Sequence, residues 1–347
     1  MNKAEKNSWS ARLIIGVLIL ALFGVLMAAF QMDFTGKKGS QLGGEYDYNL
    51  DRLRKIDPAL ILYQENTAAK IQTGLTRPRT IVLGPENQIF VAGDTSLQIY
   101  SAAGKLIKTA ALSGPARCLA VAEDGTIYAG LGDHIEVYSP ELKQTAVWKS
   151  FGEKSILSSL AVRGENVFAA DAGSRVVLHY DRAGNLLNQI GRKDPQKNIA
   201  GFVIPSPYFD LAVAPDGLLR VVNPGRHRIE AYTFGGELEI TWGKFSSEID
   251  GFCGCCNPVN FAMTADGSYV TCEKGLTRIK IYDGQGNFAG VVAGPDAFGK
   301  HDAICGEKGA NCNEGGLDVA VDAGGKVFIL DPYTGEIRVF THKSGLN

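Results

Sequence analysis

Leu119-Ala-Val-Ala-Glu-Asp-Gly-Thr-Ile-Tyr-Ala129, followed by Ile135-Glu-Val-Tyr138, decides the fold. A short apolar run, an Asp-Gly turn, a second apolar run and a third run ending in an aromatic are the marks of consecutive antiparallel strands. The same string recurs. Leu160-Ala-Val162 leads to Val167-Phe-Ala-Ala170 and Val177-Leu-His-Tyr180, and Leu211-Ala-Val-Ala-Pro-Asp-Gly217 leads to Arg226-His-Arg-Ile-Glu-Ala-Tyr232. Phe261-Ala-Met-Thr-Ala-Asp-Gly267 leads to Arg278-Ile-Lys-Ile-Tyr-Asp-Gly284, and Asp318-Val-Ala-Val-Asp-Ala-Gly324 leads to Glu336-Ile-Arg-Val-Phe340. A weaker copy runs from Thr80-Ile-Val-Leu83 to Leu97-Gln-Ile-Tyr100.

From Leu83 through Val121, Val162, Val213 and Met263 to Val321, the spacings are 38, 41, 51, 50 and 58 residues. Units of about 40 residues holding four short strands specify a propeller blade. Period-two alternation and Asp-Gly turns exclude a helical solenoid of similar repeat. The expected fold is all-β, a six-bladed propeller over 58–347. Its last unit ends at Phe340-Thr-His-Lys343 after three strands, which leaves an open edge. Ala59-Leu-Ile-Leu-Tyr63 through Lys70-Ile71 is a spare apolar strand placed to complete it.

Asn223-Pro-Gly-Arg226-His-Arg-Ile-Glu-Ala-Tyr232 and the repeated Asp-Gly…Arg-Ile-x-x-Tyr pattern resemble NHL-repeat six-bladed propellers. The resemblance spans about Arg77 to Lys343. It implies a platform for protein or small-molecule ligands, with lyases and calcium-dependent lactonases among the relatives, and fold alone does not choose between them.

Ahead of the repeats, Leu13 to Phe30 is free of charge and long enough to cross most of a ~30 Å hydrocarbon core. The expectation is a 1–12 tail, an uncleaved single-pass signal anchor at 13–30, a polar stalk at 31–57 with a helical turn at Leu50–Ile56, and a propeller held outside the cytoplasm at the cell membrane. Lys3, Lys6 and Arg12 before the run, against Lys37 and Lys38 after it, give a small positive-inside bias. A net charge of −2 offers no basic excess for nucleic acid.

Six of the seven cysteines fall between Cys253 and Cys312: Cys253, Cys255 and Cys256 between the fourth and fifth blades, Cys272 after a second strand, and Cys305 and Cys312 between the fifth and sixth. Strand direction places all six on the top face. Three readings stand: disulfides, since an exported chain meets oxidising conditions; an iron–sulfur, copper or zinc site, since thiolates are soft ligands; or free redox thiols. Adjacent Cys255 and Cys256 pair with each other only under strain, so disulfides call for separate partners. No twin arginine precedes the apolar run, so export of a prefolded cluster lacks its usual address.

Three residues before each first-strand anchor stand Thr80, Cys118, Ser159, Asp210, Asn260 and Asp318, a ring expected beside the axial channel. Such groups either pair across strands or bind calcium or a substrate through oxygen. The calcium-dependent lactonase-type propellers among the relatives place Asp, Asn and Glu comparably, though the first blade here carries no acidic residue at that point. The top loops add His134, Asp171, Arg175, Arg226, His227, Glu273, Lys274, His301 and Asp331. No complete catalytic set stands out. The leading expectation is a binding platform on the cysteine-rich top face; the alternatives are a metal or iron–sulfur redox protein, and a cation-dependent hydrolase centred on Asp210, Asn260 and Asp318.

Overall fold

The computed structural model describes residues 15–25, 27, 50–196, 199–299 and 316–343. The chain divides into two units, Met1–Leu50 and Asp51–Asn347. In the first, residues 15–25 are helical, and side chains such as Leu20 and Val25 are 73% and 66% exposed. Among the described residues no helix is long and apolar enough to cross a membrane. The stalk expected at 31–57 lies outside the described residues up to 49; Leu50–Arg54 is helical.

The second unit is a ring of six antiparallel sheets. Blade 1 holds strands Pro78–Leu83, Ile89–Gly93, Ser96–Tyr100 and Leu106–Ala111, and blades 2 to 5 repeat this order over residues 118–147, 157–190, 211–242 and 260–293. Each first strand lies innermost. The Asp-Gly turns close as written in the sequence: Asp124 Oδ1 accepts from Thr126 N, and Gly125, Gly217 and Gly267 take φ values of 80°, 84° and 85°, which glycine adopts without steric penalty.

Apolar residues form six clusters, each shared by two neighbouring blades. Every sheet is therefore covered on both faces. This explains why second strands such as Ile127–Leu131 are buried at every residue, whereas the outermost Gln144–Val147 is exposed along its length. The aromatics ending the third strands (Tyr100, Tyr138, Tyr180, Tyr232, Tyr282 and Phe340) are all buried in these seams.

Blade 6 has strands Asp318–Val321, Val327–Asp331 and Glu336–His342, and the segment before blade 1 completes it. Tyr63–Glu65 pairs with Phe340–His342, and Ile71–Gln72 with Glu336 and Ile337. The closure is not one continuous strand, as the sequence suggested. Ile61 first bridges Val291 at the edge of blade 5, and a helical turn, Thr67–Ala69, separates the two paired stretches. Side chains reinforce it: Arg338 grips both carboxylate oxygens of Glu65 at 2.8 and 2.5 Å, and Tyr63 packs edge-on to His342 while donating to Gly325 O.

Removing the Tyr63 ring empties a site that is 8% exposed. The expected cost is that of a large core truncation, about 3–5 kcal/mol. Tyr63→Ala should therefore lower the melting temperature of the propeller by several degrees in thermal denaturation, and an unchanged midpoint would show that closure does not limit stability.

Candidate functional site

The inner strands converge at their upper ends, and there the six ring residues meet. All six line one cavity of about 400 Å³ on the axis of the top face. Their polar groups are spent largely on stitching blades together. Ser159 Oγ (blade 3) donates to Asp210 Oδ1 at 2.6 Å, while the other carboxylate oxygen of Asp210 (blade 4) accepts from Phe261 N (blade 5) at 2.8 Å. Asn260 Nδ2 (blade 5) donates to Leu317 O of blade 6 at 2.7 Å, and Asp318 Oδ2 (blade 6) accepts from Ile81 N (blade 1) at 2.8 Å. Thr80 also bonds Asp318, and Ser158 Oγ reaches Phe209 O. Cys118 is buried in the seam of blades 2 and 3.

Burial pushes the Asp210 carboxyl up to about 6 against hydrogen bonds that favour its charge, and burial plus the charge of Asp210 pushes Asp318 up to about 7. Both retain some surface, but that surface lines the cavity rather than the outer face. At neutral pH the cavity floor thus carries less than its full two negative charges.

The upper wall has a different character. Arg77, Arg79 and Arg117 line it from blades 1 and 2, facing Tyr208 and Pro207 from the loop before blade 4 and Pro332 and Tyr333 from blade 6. The guanidiniums of Arg77 and Arg79 make no hydrogen bond or ion pair among the described residues. An adjoining cleft adds Arg175 and Ser206 beside Arg79 and Arg117. None of these wall residues except Arg175 was singled out from the sequence. A signal exists nonetheless: Arg79 and Arg117 each immediately precede a ring residue, where the other four blades carry Ser158, Phe209, Val259 and Leu317.

The remaining top-loop residues separate into roles. Asp171 is 1% exposed and accepts from Ser155 Oγ, Ile156 N and Gly173 N, so it pins its own loops. Asp331 does the same for Tyr333 N and Thr334 N. His134 meets its neighbour Asp133 at 3.0 Å. Arg226 is half-buried. His227 sits in the left-handed region (φ 56°) and donates through Nε2 to Gly254 O at 2.6 Å, on the cysteine loop. His301 lies outside the described residues.

The four described cysteines of the expected cluster differ in environment. Cys272 is fully buried in the apolar seam of blades 5 and 6, and burial first, then the charges of Asp318, Asp210 and Glu273, raises its thiol well above the usual value. Cys253 and Cys256 are 4% and 2% exposed, whereas Cys255 is exposed. No disulfide joins the five described cysteines, and no three His, Cys, Asp or Glu among the described residues come together as a metal donor set. Cys305 and Cys312 lie outside the described residues.

What holds the loop of Cys253, Cys255 and Cys256 is a buried ion group. Glu273 is flanked by Arg278 at 2.6 Å and Lys280 at 3.1 Å, all 1% exposed or less, and its other oxygen accepts from Cys253 N at 2.9 Å. Burial, with the positive charge of Arg278, lowers Lys280 to about 8 despite the opposing pull of Glu273. Breaking such a buried set from one side costs about 3–5 kcal/mol.

Asp210 and Asp318 make stability depend on pH with a definite sign. Their folded values lie above the unfolded value of about 3.9, so their contribution is present at low pH and lost as pH rises through about 6 and 7. Asp318→Asn should flatten the fall in melting temperature between pH 5 and pH 8 relative to the parent, while lowering it near pH 5 through the lost N–H acceptor. Parallel curves for the two proteins would show that the carboxyl is charged throughout.

No family model matches the chain, and no curated protein matches it in sequence. Solved structures do. A streptogramin B lyase aligns with a TM-score of 0.56 over 81% of this chain and 98% of its own at 12% identity. Virginiamycin B lyase from Staphylococcus aureus aligns with a TM-score of 0.54 over 80% and 99%, also at 12%. A protein of unknown function from Bacteroides thetaiotaomicron aligns with a TM-score of 0.57 over 80% and 72%, at 14% identity. At these identities the likeness is one of fold: the chain is a six-bladed β-propeller.

Proposed function

We propose that this protein is a membrane-anchored, NHL-like propeller held outside the cytoplasm, a binding module whose axial funnel takes a small organic anion. The observation that carries the reading is the pair Arg77 and Arg79, unpaired among the described residues and set beside Arg117 in a cavity of about 400 Å³. Ligand pockets run about 300–1,000 Å³, mostly apolar with a few convergent polar groups. Guanidinium forks favour carboxylate, phosphate and sulfonate oxygens, and Tyr208, Tyr333, Pro207 and Pro332 offer apolar contact for the body of the ligand.

The hydrolase reading around a cation has less support. Both oxygens of Asp210 and of Asp318 already accept backbone N–H groups, which competes with a hard cation for the same lone pairs. The anchor reading rests on the charge-free run 13–30 and on the exposed apolar side chains of helix 15–25, which water disfavours.

Two measurements test these readings. With 8-anilinonaphthalene-1-sulfonate as fluorescent probe and aromatic carboxylates as competitors, saturable binding should weaken with salt, and Arg79→Ala should weaken it about tenfold or more, the worth of a charged hydrogen bond of about 1.4 kcal/mol or above. Saturable binding that ignores both salt and Arg79 would remove the anion reading. Deleting residues 1–30 should move the protein from the membrane to the soluble fraction, and protease added to cells freed of any outer membrane and wall should cut the full chain; a propeller protected until the inner membrane is lysed would place it inside.

A further inference from the structure

The loop joining blades 4 and 5 brings two sulfurs together in a way its sequence argues against. Successive side chains of an extended chain point to opposite faces, yet Cys255 Sγ and Cys256 Sγ stand 3.2 Å apart. The backbone on either side is locked into that shape. Asn257 Nδ2 donates to Cys253 O and to Lys274 O, and its Oδ1 accepts from Lys274 N. Cys253 N is held by buried Glu273, and Gly254 O by His227. Between these anchors Cys255 alone of the pair is exposed, with Cys256 directly beneath it.

We propose that Cys255 and Cys256 form a thiol–disulfide exchange site, a reversible vicinal dithiol that reacts with disulfides reaching the top face. In the first step the Cys255 thiolate attacks a disulfide RSSR, forming a Cys255–S–S–R bond and releasing one RS⁻, which takes up a proton. The Cys256 thiolate then attacks Cys255 Sγ, forms the intraloop disulfide and expels the second RS⁻. Two cysteine thiols are oxidised and one external disulfide is reduced to two thiols. The anchored backbone makes the second step intramolecular between sulfurs already in contact, which favours it over a mixed disulfide. Burial, and the hydrogen bond and charge of Cys256, raise the Cys255 thiol, with Lys274 acting the other way, so exchange should quicken toward alkaline pH. This site does not depend on the funnel reading.

The test uses the full chain in detergent, reduced and then equilibrated without oxygen in glutathione buffers of graded oxidised fraction. Alkylation and fragmentation mass spectrometry without reduction should reveal a Cys255–Cys256 link, two hydrogens lighter and unalkylated, that reverts on reduction. Cys305→Ser and Cys312→Ser should leave the link unchanged. The reduced protein should also bind phenylarsine oxide, which bridges two neighbouring thiols, and Cys255→Ser, at an exposed position that folding tolerates, should weaken this by about a hundredfold or more through loss of the chelate. A link from Cys255 or Cys256 to Cys253, Cys305 or Cys312 would overturn the proposal. So would full alkylation of both cysteines at every glutathione ratio.

Discussion

In a ring of sheets the inner strands crowd together at one end, and the polar groups there lose water without gaining a helix or sheet partner of their own. A buried polar group left unpaired costs on the order of 1–3 kcal/mol, so each inner strand must find its partner on the next blade. This chain meets the requirement with short side chains. Ser159, Asp210 and Phe261 N link blades 3, 4 and 5 in one connected run, while Asn260 ties blade 5 to blade 6 and Asp318 ties blade 6 to blade 1. Ring closure and channel chemistry are therefore one problem. The carboxylates that fasten the blades are the groups whose protons the cavity floor retains.

A second polar device, repeated around the ring, fixes the face above. A residue at or just beyond the end of the second strand accepts from the incoming interblade loop in four blades: Asp94 from Thr76 N and Arg77 N, Asp171 from Ile156 N, Asn223 from Val203 N, and Glu273 from Cys253 N. The first of these bonds holds the backbone of Arg77 at the cavity wall. The last holds the loop that carries the paired cysteines. Loop position on this face thus follows from acceptors buried in the sheets.

Much of this was legible. Turn residues and strand alternation are local, so blade number, the ring positions and the identity of the closing segment could be read directly. What could not be read depends on where a strand begins and how sheets twist. Arg79 and Arg117 sit one residue ahead of the ring, at the strand entrance where alternation does not yet say which way a side chain faces. Cys272 belongs by sequence to the cysteine cluster, but as the end of a second strand its side chain packs into the seam with Val259 and Leu317. The Cys255-Cys256 dipeptide taken alone disfavours pairing, whereas Asn257, Lys274 and Glu273 impose the conformation from outside it.

The six blades are near-equivalents, and near-equivalence is uninformative about function; departures from it carry the information. Two departures share the top face. Arginines occupy the position before the ring in blades 1 and 2, and the cysteine loop rises between blades 4 and 5, so ring order sets them across the axis from each other. Between them lies Tyr208. Its hydroxyl accepts from Gly316 N, its ring lines the cavity, and the ammonium of Lys274 rests 4.4 Å from the ring centre. Lys274 in turn bonds Asn257, which sets the conformation of the cysteine loop. A covalent change at Cys255 and Cys256 would have to be absorbed by Asn257 or passed through Lys274 to the cavity wall. Asn257 and Lys274 thus form one run of contacts from the cysteine loop to the ring of Tyr208.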